Sequence, residues 1–144
     1  VFRQTMFAEF EMQVHAEVEK GEVMTPDRLC GIYGDLNKKY FGPDVVYDDE
    51  IAMEWARIPH FYNAFYVYQY ATGYSAAVAI SKKIIEEGAP ARDAYMTFLA
   101  AGDSNYPIEL LKGAGVDMSK PDVIESAMAT FEGLIDELEE LINE

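Results

Sequence analysis

Between Ile58 and Ala77 the chain carries His60 and five tyrosines, Tyr62, Tyr66, Tyr68, Tyr70 and Tyr74, with Asn63 and Gln69 among them and no other ionisable group. Imidazole and phenol can both donate a hydrogen bond to a carbonyl oxygen, or to the oxyanion that forms from it. A row of phenols beside a histidine could therefore grip a peptide backbone. Each buried phenol needs a polar partner, so this surplus of hydroxyls points to a surface that meets a polar ligand. If one helix runs through the segment, Tyr62, Tyr66 and Tyr70 fall on one stripe at four-residue steps, with Phe65 and Tyr68 beside it. The same spacing also describes an aromatic core helix whose hydroxyls bond neighbouring carbonyls. Spacing alone leaves both readings open.

Other chemistry is sparse. His15 has Glu11 and Glu19 four residues to either side on one helix face. That is a weak metal signal, because a stable zinc site usually takes more than one nitrogen or sulfur ligand. The chain has no His-Glu-x-x-His, no glycine-rich phosphate loop, no Gly-x-Ser-x-Gly and no Cys/His cluster. The acidic runs Asp48-Asp49-Glu50, Asp136-Glu137 and Glu139-Glu140 read as solvated faces.

Charge narrows the range of partners. Lys plus Arg number 11 against 26 for Asp plus Glu, a net charge of −15, and nucleic acid or an anionic membrane needs a basic surface instead. The single cysteine, Cys30, cannot form an internal disulfide. It reads as a small buried group in a reducing, cytoplasmic setting. The uncharged run Phe61 to Ile80 is long enough to cross a bilayer, but Tyr, Asn, Gln, Thr, Ser and Gly make up about half of it, which argues against lipid exposure. Val1-Phe-Arg-Gln-Thr is not a secretory leader and lacks an initiator methionine, as in a processed or partial chain.

Helical periodicity dominates the elements that must position these side chains, and 144 residues suit one domain. Phe7, Phe10, Val14 and Val18 predict a first helix stopped at Gly21. Thr25-Pro26 predicts a capped second helix with Leu29, Ile32, Leu36 and Tyr40 on its inner face, ended by Gly42-Pro43. A short helix should carry Ile51, Trp55 and Ile58 up to Pro59. The tyrosine-rich segment then predicts one long central helix reaching Glu86 or Glu87, capped by Gly88, with Ala71, Gly73, Ser75, Ala76, Ala77 and Ala79 allowing close approach. Asp93–Ala101 and Pro107–Lys112 predict shorter helices. A last helix, opened by a capping box at Ser119 to Asp122, should pack Ile124, Met128, Phe131, Ile135, Leu138 and Ile142 against its own domain, with an intermolecular coiled coil as the alternative. The expected fold class is all-α.

Phe2-Arg3-Gln4-Thr5-Met6-Phe7-Ala8-Glu9-Phe10-Glu11, Tyr40-Phe41-Gly42, Ile58-Pro59-His60-Phe61-Tyr62 and Phe65-Tyr66-Val67-Tyr68-Gln69-Tyr70-Ala71-Thr72-Gly73, followed by Gly102-Asp103-Ser104 and Pro107, occur in an order that resembles the C-terminal part of the oligoendopeptidase F family. These are zinc metallopeptidases related to the thimet oligopeptidase group, which cleave short peptides in a deep channel of a helical fold. The resemblance implies a helical bundle, residues 1–144, forming the C-terminal part of such a catalytic domain. It implies zinc in the complete enzyme, with the ligands and general base in a missing N-terminal portion, none of them in this chain. It implies Tyr68 as the oxyanion-stabilising phenol with His60 assisting, and Tyr62, Tyr66 and Tyr70 contacting substrate. Alone, such a segment should be inactive and should self-associate through faces meant for that portion. The alternative is a stand-alone helical peptide-binding or interaction module without catalysis.

Overall fold

The computed structural model describes residues 1–143. Among them are six α-helices: α1 (Phe2–Glu19), α2 (Pro26–Phe41), α3 (Tyr68–Glu87), α4 (Ala89–Ala101), α5 (Pro107–Gly113) and α6 (Asp122–Asn143). Two 3₁₀ helices, Asp49–Arg57 and Pro59–Tyr62, separate α2 from α3, and the described residues contain no strand. The all-α class is as expected. No helix among them is long and apolar enough to cross a membrane. The chain forms two compact units, Val1–Ala71 and Thr72–Glu144.

In the first unit α1, α2 and the 3₁₀ helices close on Met6, Phe7, Phe10, Tyr33, Leu36, Ile58 and Val67. Phe10 meets Tyr33 edge-on at 5.2 Å, and Phe61 lies 5.7 Å from Phe7 and 5.3 Å from Phe10. Thr25 caps α2 by accepting the Arg28 N–H, with Pro26 in the first turn, and Gly42 ends it at φ 78°. Val14, Leu29, Ile32, Tyr40 and Trp55 pack around this core, whereas Val18 is exposed. Cys30 is only partly buried, and the Trp55 indole N–H donates to its sulfur at 3.5 Å.

Polar groups hold the same core together. The fully buried Tyr33 hydroxyl donates to Glu54 Oε2 at 2.7 Å, while Arg3 and Arg57 pair with Oε1 of the same carboxylate. Tyr33 lies four residues after Leu29 and three before Leu36, on the inner face of α2; its hydrogen bond to Glu54 and the two guanidinium groups make the burial of both polar groups tolerable. Asp48, read as solvated, is exposed but also caps the first 3₁₀ helix, accepting the Ile51 N–H at 2.9 Å.

In the second unit the buried cluster is Ala76, Ile80, Ala114, Val116 and Val123, with Tyr95, Phe98, Leu111 and Met118 around it. Of the small residues of α3, Ser75 and Ala76 are buried and Ala71 and Ala79 partly so, whereas Gly73 and Ala77 are exposed. Gly88 (φ 71°) and Gly102 (φ 55°) turn the chain at the ends of α3 and α4; left-handed backbone suits glycine because it lacks a Cβ. The last helix departs from expectation. Its buried residues are Val123 and Ala127, whereas Ile124, Phe131, Ile135, Leu138 and Ile142 are exposed. The anticipated capping box does not form at Ser119, because α6 begins only at Asp122, and the Ser119 hydroxyl donates to Asp117.

Candidate functional site

The long helix expected through His60 is broken. His60 lies in the four-residue 3₁₀ helix Pro59–Tyr62, and α3 begins only at Tyr68. Residues 63–67 form a turn in which Phe65 takes φ 57°, a left-handed conformation costing a bulky residue roughly 1–2 kcal/mol. The hydrophobic core explains the break. Phe61 and Val67 both pack into the first unit's core, yet on an uninterrupted helix residues six apart point about 120° apart. The turn lets both face inward.

This break rearranges the predicted stripe. Tyr62 is 92% exposed at the end of its 3₁₀ helix and does not continue a four-step row with Tyr66 and Tyr70. The turn instead carries Tyr66 and Tyr70 to the imidazole. The rings of His60 and Tyr66 stack at 5.8 Å, Tyr70 meets His60 edge-on at 5.7 Å, and Tyr66 and Tyr70 are 5.7 Å apart. The Tyr70 hydroxyl lies 3.2 Å from His60 Nε2. Hydrogen bonding with Tyr66, then desolvation, holds the Tyr70 phenol above its ordinary pKa. All three side chains are exposed in this segment and take no part in its own core.

Tyr68 opens α3 and is 51% exposed. It stands two residues before Tyr70, hence about 200° around the helix from it. Tyr74, also exposed, belongs to the second unit.

The His15 region is engaged differently from a metal site. The buried Glu11 carboxylate accepts the Phe65 N–H at 2.5 Å, and the His15 ring lies 4.5 Å from the Phe65 ring. The described residues hold no group of three His, Cys, Asp or Glu side chains suited to a metal ion, so the donors present do not fit zinc. Sequence reasoning missed Glu11 as a support of the site. Its signal was position: Glu11 lies four residues after Phe7 and three before Val14, on the apolar face of α1.

The structure thus defines an all-helical protein with an exposed imidazole–phenol cluster, and the sequence comparison gives it a family. The model of peptidase family M3 matches residues 1–130, and the chain belongs to this family. It is 60% identical over 142 residues to oligopeptidase PepF of Bacillus subtilis, covering 99% of this chain and 21% of that protein. It is 47% identical to the chromosomal oligoendopeptidase F of Lactococcus lactis subsp. cremoris, over 99% of this chain and 24% of the relative. The crystal structure of oligoendopeptidase-F from Enterococcus faecium superposes with a TM-score of 0.95 at 54% identity, across 99% of this chain and 27% of that one. The chain thus spans about a fifth to a quarter of the length of the relatives it matches.

Proposed function

We propose that this chain is the C-terminal segment of the catalytic domain of a zinc metallo-oligoendopeptidase that hydrolyses short peptides, and that it supplies the His/Tyr wall of the cleft. The observation that carries this reading is the trio of His60, Tyr66 and Tyr70, ordered by mutual ring contacts yet open to solvent. Such order without burial suits donors awaiting a ligand. Membership in a peptidase family favours a peptide as that ligand.

Zinc and its ligands belong, on this reading, to the N-terminal portion of the same enzyme, which is also this segment's structural partner. The residues here act on the other side of the scissile bond. As a nucleophile adds to the peptide carbonyl, charge grows on its oxygen, and preorganised donors lower the transition state more than the ground state. Tyr68 is the phenol that donates to this oxyanion; it is not one of the trio, leaving α3 about 200° around the helix from Tyr70, and the His60 imidazole assists from within that cluster. Tyr62, Tyr66 and Tyr70 hold the substrate backbone. A reducing, cytoplasmic setting suits the unpaired thiol of Cys30.

The test is Tyr68→Phe in the full-length enzyme. Steady-state kinetics with a quenched fluorescent peptide should show kcat falling on the order of 10²–10³-fold with KM little altered. Undiminished kcat rejects the assignment.

A further inference from the structure

We propose that Glu11 is a positioning residue of this site, acting through the Phe65 backbone to set the spacing of Tyr66 from His60. The proposal rests on the reading that the His60 cluster contacts substrate.

Three observations converge on α1. The Glu11 carboxylate is 5% exposed, and it accepts the amide hydrogen of Phe65, 54 positions away. A carboxylate withdrawn from water requires compensating donors, and here the donor is, among the described residues, the one other than glycine with positive φ. One helical turn later His15 packs its ring on the Phe65 side chain at 4.5 Å. Phe7 and Phe10, from the same helix, hold Phe61. The α1 helix therefore grips the residue that follows His60 and the residue that precedes Tyr66. The imidazole and the phenol stacked on it stand between two clamps on one rigid element, and Glu11 is the clamp that offsets the unfavourable backbone.

A neutral isostere separates acceptor from charge. Glu11→Gln keeps an oxygen within reach of the Phe65 amide, whereas Glu11→Met fills the same volume without one. In the full-length peptidase, Glu11→Met should lower kcat about ten- to a hundredfold, as small misplacements of catalytic groups do, with a smaller change in KM. Glu11→Gln should recover most of that loss. In a His60→Ala background the Glu11→Met loss should largely vanish, because its route to the reaction is already gone.

Equal Glu11→Met losses in both backgrounds, or none in either, would overturn the proposal while leaving the cluster's role intact. His60→Ala with undiminished turnover would overturn the cluster reading and this proposal together. If Glu11→Met does not fold, Glu11→Asp takes its place, keeping the charge but withdrawing the oxygen by one methylene. Turnover lost with Asp and retained with Gln supports the role; equal turnover in the two overturns it.

Discussion

The Tyr70 hydroxyl and His60 Nε2 meet at 3.2 Å across ten positions of sequence and a break between two helices. Neither residue is buried, so this contact orders the imidazole from the solvent side. Removing it should disturb the ring's orientation without disturbing the core.

Tyr70→Phe in the full-length enzyme should therefore be milder than Tyr68→Phe. Loss of one hydrogen bond is worth about 1 kcal/mol, which corresponds to a fall of about fivefold in kcat/KM, with thermal stability unchanged. A loss as deep as that of Tyr68→Phe would exchange the roles of the two phenols.

The 144-residue chain by itself should neither cleave a quenched fluorescent peptide nor retain zinc after dialysis, since no described group of side chains suits a metal ion. Peptidase assay and elemental analysis measure both. Zinc-dependent cleavage by the chain alone would refute the division of labour proposed above.

Along α6 the residues Phe131, Leu134, Ile135, Leu138, Leu141 and Ile142 are exposed. The second unit also has an open apolar groove of about 510 Å³ lined in part by Ala77, Ile80, Ile84, Ile85 and Phe98. Apolar surface of this kind promotes association. Sedimentation velocity should find the isolated chain self-associating at micromolar concentration, and Ile135→Glu with Leu138→Glu should reduce this, because a buried charge costs more than the lost contact gains.

Acid should weaken the first unit. Hydrogen bonds from Lys39 and then Tyr40 hold Glu9 below the ordinary 4.5; burial raises Glu54, but hydrogen bonds from Arg3 and Tyr33 outweigh it and the net shift is downward. A carboxylate with a lowered folded-state pKa contributes stability that is fully present above its unfolded value and is lost as pH falls through the folded one. Urea midpoints should thus be level above about pH 5 and decline below about pH 4.5. Tyr33→Phe should cost about 1.5–3 kcal/mol at pH 7, where its hydroxyl meets a charged acceptor, and less once Glu54 is protonated.

Composition and local pattern sufficed for the helices whose ends are marked by residue chemistry. Thr25-Pro26 opens α2, Gly42 closes it, and Gly88 and Gly102 punctuate α3 and α4. These signals are legible because capping and left-handed backbone depend on the residue itself. Family membership was legible for a similar reason, as it lies in residue order. The seam of α6 was misread because periodicity reveals that a helix has an apolar face but not whether anything covers it.

The site divides along the same line. Residue types alone nominated His60 and its tyrosines as hydrogen-bond donors facing a polar ligand. Which of them meet was decided by packing: Phe61 and Val67 both had to enter one core, so the helix yielded, Phe65 took a left-handed turn, and Tyr66 and Tyr70 closed on the imidazole while Tyr62 swung out to solvent. Glu11 became part of that story only through its contact with Phe65, 54 positions distant. A local repeat cannot encode such a contact, because burial of apolar side chains is settled over the whole unit at once.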